Sequence, residues 1–373
     1  MDKYFNPVRT YLGAGNLSVL PQLAAELQAQ KIMLLLWDEQ VLDNASVKEF
    51  IVSCGEKVTS MIFSASNPEA YQLFDLYSET KDAAPDLLIA IGGGSVMDVA
   101  KALCCLYAKP VSSVEEMCAV ISAKEWNEPT CKWIGVPTTA GTGSEVTCWA
   151  TIWDSANNKK YSVDTDKNYA YAAVVDPVLA STMPIKLAVS SALDAAAHAT
   201  ESYWAKASNL ISRSHALKSI SLIMEHIDDL LAGKAEAHEY MAQGSMLAGM
   251  AFSNTRTTAC HSISYPLTMK YHVPHGVAVS MLLAPVMELN LPLLPDKGAE
   301  LLAAYGVNSV EELGAHITDI LERSGNIARL QGWGAQEEDI PELVAHSMTK
   351  GRADNNPAEL NEAIVTKIIQ EIF

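Results

Sequence analysis

The sequence is short of several things, and each shortage excludes something. Positive charge is one: 26 Lys and Arg stand against 44 Asp and Glu, for a formal net charge of −18. A generally basic nucleic-acid surface is therefore excluded. The acidity suits a cytoplasmic protein that handles small molecules. Paired cysteines are also missing. The seven cysteines (54, 104, 105, 118, 131, 148 and 260) are scattered, odd in number and without a C-x-x-C. Free thiols in a reducing compartment are the simplest expectation. There is no unbroken run of 18 apolar residues, so no membrane span is expected. The opening "MDKYFNPVRTYLGAG" lacks the apolar core of a signal peptide. Internal repeats and low-complexity segments are absent as well.

What is present is a globular composition, 49% hydrophobic and 19% charged over 373 residues. That length predicts two domains. In the first half, apolar runs at 31–38, 86–91 and 132–139 read as buried strands. Helical patterns lie at 18–30, 67–84 and 95–108. Alternating strands and helices predict a parallel sheet with helices on its faces, a Rossmann-like α/β domain over 1–180. After "AAVVDPVLASTMP" the pattern becomes helical, predicting an all-α domain over 181–373.

The run "DLLIAIGGGSVMDVAKAL" takes a strand through Gly92, Gly93 and Gly94 into a helix opened by Ser95. Glycines permit positive φ and close approach of backbone to a ligand. A helix start offers free N–H groups and partial positive charge. Together they suit a phosphate. Neither G-x-G-x-x-G nor G-K-[ST] is present, so a plain tight turn is the alternative. Asp38 ends the strand "IMLLLWD". An acid there can accept from ribose hydroxyls and repel a 2′-phosphate, which favours NAD(H) over NADP(H); a helix N-cap is the ordinary alternative. "VPTTAGTGSEVT" offers the hydroxyls of Thr138, Thr139, Thr142 and Ser144, with glycines that would let the loop fold under a ligand.

"SALDAAAHATES" sets Asp194 and His198 four apart, on one face of a helix. Alone, such a pair is more often a cap and an ordinary histidine. His261 and His275 change that reading. They flank a helix-like stretch broken by Pro266 and Pro274, and "PHG" puts His275 at a turn. One carboxylate and three neutral imidazoles suit a divalent metal, which could polarise a carbonyl or stabilise an alkoxide. His272 reads as a surface residue.

Taken together, "GGGSVMDVAK", "PTTAGTGSE", "VVDP", "ALDAAAHATES", His261, "VPHG" and "NNPAEL" resemble the iron-containing (group III) alcohol dehydrogenase family over nearly the whole chain. The resemblance implies a dehydroquinate synthase-like pair of domains and an oxidoreductase that is often dimeric. It implies Fe²⁺, or Zn²⁺ or Mn²⁺, held by Asp194, His198, His261 and His275. It also implies cofactor contacts from Asp38, Asn67, Gly93, Gly94, Ser95, Asp98, Thr138, Thr139, Thr142 and Lys160. Many relatives carry a second histidine four positions after the third ligand; here Tyr265 stands there, and tyrosine does not titrate near neutral pH. "NTRTTACH" is polar where many relatives are apolar, and resembles the phosphonoacetaldehyde reductase branch. Arg256, with Thr257 and Thr258, could hold an anionic head group. Tyr265 and Arg256 are thus the candidates on the substrate side. A glycerol dehydrogenase-like polyol enzyme and a non-catalytic metal- and nucleotide-binding protein are the competing expectations.

Overall fold

The computed structural model describes residues 3–157, 159–295, 297–348 and 351–373. Internal contacts divide the backbone into two compact units. One comprises Asn6–Thr139 and Ser144–Leu179. The other comprises Ala180–Phe373, with Ala140–Gly143 and the N-terminal residues up to Phe5.

The first unit holds β1 (Arg9–Leu12), β2 (Ile32–Leu36), β3 (Val58–Ile62), β4 (Leu87–Gly92), β5 (Lys132–Pro137), β6 (Trp149–Asp154), β7 (Lys159–Asp164) and β8 (Ala172–Val175). Six of these strands form one parallel sheet in the order β1-β8-β5-β4-β2-β3. Its helices are α1 (Leu20–Glu26), α2 (Ala45–Cys54), α3 (Ala70–Thr80), α4 (Gly94–Tyr107) and α5 (Val114–Ala123), and a short α6 (Pro177–Ala180) follows β8. Side chains alternate faces along a strand. Met33, Leu35, Leu88 and Ala90 enter one core, while Ile32, Leu34, Leu36, Leu87, Ile89 and Ile91 enter the other. A sheet buried on both faces needs apolar residues at every position, which is why β2 and β4 read as unbroken apolar runs. The edge strand β3 is largely exposed and lacks that signal. The antiparallel hairpin β6–β7 is an addition that the strand–helix alternation does not anticipate.

The second unit is helical: α7 (Ile185–Trp204), α8 (Leu210–Leu231), α9 (Ala237–Thr255), α10 (Ala259–Tyr271), α11 (His275–Met281), α12 (Leu283–Asn290), α13 (Gly298–Ala304), α14 (Val310–Arg323), α15 (Ile340–Ala345) and α16 (Glu362–Glu371). At its centre α7 packs against α8, α9 and α11. Ala192, Ala195, Ala196, Ala197 and Ala199 are fully buried, and small side chains let neighbouring helices approach. Pro266 does not break α10, contrary to the sequence expectation. It forfeits a backbone hydrogen bond, but burial of Ile263, Pro266 and Leu267 carries the helix through. The helix ends at exposed His272, which is left-handed with φ 55°. One stretch, His275–Leu293, is long and apolar enough to cross a membrane, but 67% of its most apolar window is buried in the unit. It contributes to the helical core.

Candidate metal centre and the glycine turn

The candidate metal centre gathers around Asp194. Its Oδ1 lies 3.5 Å from His261 Nε2, 3.8 Å from His198 Nδ1 and 3.9 Å from His275 Nε2. These separations are too long for hydrogen bonds. They are close to the spacing between ligands around one small ion: with metal–ligand distances of about 2.1 Å, tetrahedral ligands sit roughly 3.4 Å apart. Among the described residues, Asp194 Oδ1, His198 Nδ1 and His261 Nε2 are buried without a hydrogen-bond partner. Buried polar atoms ordinarily have partners, so this donor set fits a divalent cation. Asp194, His261 and His275 each offer a ligand atom, all within 4.8 Å of one another. His198 is outside that trio. It reaches the same carboxylate oxygen, and its ring lies 4.2 Å from that of His261 and 4.4 Å from that of Phe252. The His275 side chain is 38% exposed against 7% for Asp194, so the open side of the cluster is at His275.

Helical spacing brings Asp194 and His198 together, and it adds a residue absent from the expected set. Glu201, three further on, is fully buried and accepts from His261 Nδ1. It also accepts from Thr258 Oγ1 at 2.8 Å, Cys260 N at 2.7 Å and His261 N at 3.3 Å. With Nδ1 donating to Glu201, the Nε2 lone pair of His261 is left to face Asp194. Thr258 in turn accepts from Trp204 Nε1 at 2.8 Å. Its hydroxyl is therefore spent on Glu201 and is not available to an anionic head group, as the sequence suggested. His275 reaches the cluster because Gly276 follows it. A Cβ on Gly276 would fall 2.0 Å from the Ser190 carbonyl oxygen and 3.1 Å from Asp194 Cβ.

The electrostatics match. Burial pushes the Asp194 carboxyl up, but His198, His275 and His261 outweigh it and hold the group well below the usual carboxylate range. Burial pushes His198 down to about 3, so it is a neutral imidazole with a lone pair to give. Burial also opposes ionisation of Glu201, but the His261 imidazole and its hydrogen bonds keep Glu201 a carboxylate.

The substrate-side candidates lie in the same unit. The Tyr265 ring stacks on His275, with centroids 6.1 Å apart. Arg256 caps α9 in a left-handed conformation with φ 64°. It lines a cavity of about 330 Å³ with Lys206, Asn254, Asp354 and Asn355.

In the α/β unit, the glycine turn differs from its expected form. None of Gly92, Gly93 and Gly94 has positive φ. Gly92 and Gly93 are small because space is short: a Cβ on Gly92 would meet Val96 at 2.5 Å, and one on Gly93 would meet Thr139 at 3.3 Å. Gly93 caps α4, and Gly94 and Ser95 form its first turn. Ser95 Oγ accepts from the backbone N of Asn67, itself left-handed with φ 52°. Asp98 accepts from Ser144 Oγ and Thr151 N, and burial raises its carboxyl against the pull of Lys101. Lys160 is a further charge neighbour of Asp98 and lies over the Trp153 ring. Thr138 N donates to the Gly92 carbonyl. Fully buried Lys101 ties this region together, donating to Ser144 Oγ, Thr147 Oγ1 and the Trp149 carbonyl. Asp38 accepts from Gln40 N as the N-cap of a 3-10 turn, the ordinary role open to it from the sequence. Thr142 belongs to the helical unit. There, left-handed Gly143 meets α9, and a Cβ would lie 2.5 Å from Gly249 Cα. That glycine serves helix packing in its own unit rather than a fold under a ligand.

A sheet unit with a glycine turn and a helical unit with a carboxylate–imidazole cluster together define a metal-type dehydrogenase. Comparison with known proteins gives the family: the chain belongs to the iron-containing alcohol dehydrogenases. Residues 7–177 match the family described as iron-containing alcohol dehydrogenase. Residues 188–373 match the Fe-containing alcohol dehydrogenase family, C-terminal. The protein is thus an oxidoreductase. It is 28% identical to the NADPH-dependent butanol dehydrogenase of Clostridium saccharobutylicum, over 100% of this chain and 98% of that one. It is 32% identical to the choline dehydrogenase of Bacillus subtilis, over 77% and 73% of the two chains. The crystal structure of sulfoacetaldehyde reductase from Bifidobacterium kashiwanohense in complex with NAD+ superposes with a TM-score of 0.91 at 26% identity, covering 100% and 98%.

Proposed function

We propose that the chain interconverts a small aldehyde and its primary alcohol using NAD(H) and one divalent metal, Fe²⁺ first, with an anionic aldehyde such as phosphonoacetaldehyde as substrate. The observation that carries the reading is the set of unpartnered buried atoms around Asp194 Oδ1. Asp194, His198, His261 and His275 would hold the metal. Gly93, Gly94, Ser95, Thr138 and Thr139 would hold the cofactor's phosphates and nicotinamide amide, with Asn67, Asp98 and Lys160 beside them. When bound, the metal supplies Lewis-acid polarisation of the substrate oxygen, and the nicotinamide supplies or accepts a hydride.

The chain's own residues do the rest. Glu201 fixes the His261 tautomer, and Gly276 lets His275 close on Asp194. Asp38 is spared a 2′-phosphate by NAD(H) and can accept from ribose hydroxyls through the oxygen not used in its cap. Tyr265 or water carries the proton to or from the substrate oxygen. The polar run around Arg256 supports an anionic head group, and so does the resemblance to a sulfoacetaldehyde reductase. Self-association as a dimer and a cytoplasmic location complete the proposal.

The test is NADH oxidation with a panel of aldehydes, including phosphonoacetaldehyde and butanal, beside elemental analysis of the purified protein. Bound iron with aldehyde-dependent oxidation is expected. Undiminished turnover by protein stripped of metal would sink the reading. Glycerol oxidised in preference to any aldehyde would favour a polyol enzyme instead.

A further inference from the structure

One cation near the metal centre has no task in that mechanism. Arg352 is the N-cap of the 3-10 turn Ala353–Asn355, and its guanidinium carbon lies 4.8 Å from the centre of the Tyr265 ring. The same ring is stacked at 16° on His275. Among the described residues, the guanidinium makes no hydrogen bond and no ion pair. Its charged neighbours are Glu201 and Arg256. Glu201 is already committed to His261, Thr258 and Cys260. Burial lowers the Arg352 guanidinium to about 10; Glu201 pulls it back up and Arg256 pushes it further down. It is still a cation at neutral pH. The side chain is half-buried rather than sealed from water, so it can accept an incoming anion without rearrangement, and a partly desolvated charge with no acceptor among the described residues gains most from one.

We infer that Arg352, seated on Tyr265, is a specificity-determining residue that holds the anionic head group of the substrate. The inference rests on the oxidoreductase reading above and deepens it. It moves the head-group role from Arg256, which has interactions of its own and lines a cavity whose lining does not include Arg352. The guanidinium fork matches the oxygens of a phosphonate or sulfonate two at a time, and an aromatic face fixes its plane. Tyr265 also acquires a reason. A flat neutral ring supports a guanidinium, whereas a histidine at that position would repel it once protonated. The aldehyde end of a two-carbon substrate then points along the Tyr265–His275 stack, toward the metal ligands.

The experiment compares kcat/KM for phosphonoacetaldehyde and sulfoacetaldehyde with that for butanal, in the wild type, Arg352→Gln and Arg352→Lys. A charge-assisted pair is worth about 1.5–3 kcal/mol, so Arg352→Gln should cut the anionic-to-neutral selectivity roughly 10- to 100-fold, chiefly through KM. Arg352→Lys should fall between, because it keeps the charge and loses the fork. Bound metal should stay in both variants. Calorimetric binding of methylphosphonate or methanesulfonate to the metal-loaded protein should weaken in parallel, and the stronger of the two names the head group. Equal losses on butanal and the anionic aldehydes, or unchanged selectivity, would overturn the inference and leave the oxidoreductase reading standing. A metal-loaded wild type that fails to oxidise NADH with every one of these aldehydes would overturn both.

Discussion

The metal centre and the glycine turn differ in what their polar atoms already have. Around Asp194, three buried ligand-type atoms have nothing to bond. Around the glycine turn, Asp98, Ser144 and Lys101 are engaged with one another, and Ser95 accepts from Asn67 N. The first arrangement is stable only when something else supplies the missing partner. The second is scaffold, and what it offers a ligand is the backbone it holds in place at the start of α4. The same residue types, acids and their partners, thus do opposite work in the two regions. Satisfaction of hydrogen bonds separates them; residue identity does not.

Breaking one partner in each region sharpens the contrast. The largest effect is expected from Asp194→Ala, which removes the atom common to all three imidazole distances. Bound metal should fall below detection by elemental analysis and turnover should vanish, while the melting temperature should not fall below that of the wild type stripped of metal. A variant that retained metal would refute the centre as drawn. Glu201→Gln comes next. It leaves the ligands in place and weakens the orientation of His261, so metal affinity should drop about 10- to 100-fold in a chelator competition. Lys101→Met should do the reverse. It strands Ser144, Thr147 and the Trp149 carbonyl, costing about 2 kcal/mol or more in denaturant unfolding, with metal affinity unaltered. Weaker metal binding in that variant would show that the two regions are energetically joined.

The most gradual effect is a pH dependence. Burial raises Glu145 from 4.5 to about 7. The folded state then binds more protons than the unfolded one between those values. Its contribution to stability is therefore full below 4.5 and is lost as pH rises to 7, at no more than about 1.4 kcal/mol per pH unit. Glu145→Gln should flatten that slope in unfolding curves, and an unchanged slope would show that Glu145 is not its source.

Much of this was legible in the chain. β2 and β4 announce themselves because a doubly covered strand must be apolar throughout, and the spacing of Asp194 and His198 is a property of any helix. Glu201 lay on the same face of the same helix and was readable in principle. It passed unnoticed because a buried acid in a helix has no signature apart from its partner. β3, with only one neighbour, and the hairpin β6–β7 lacked the apolar run and were missed. Of the two reasons the sequence offered for the turn's glycines, positive φ does not apply, and the sequence could not show the need for space beside Val96 and Thr139.

By itself, then, the sequence determined the two kinds of unit, the helical pairing of Asp194 with His198, and the family pattern across the whole chain. These depend on periodicity and local order, which a chain carries along its length. Only the tertiary structure decided that Glu201 orients His261, that Thr258 is spent on Glu201, that Gly276 admits His275, and that Arg352 lies over the Tyr265 ring. Each of those is a fact about which atoms are left over once distant segments have packed, and a leftover exists only when everything else has found its place.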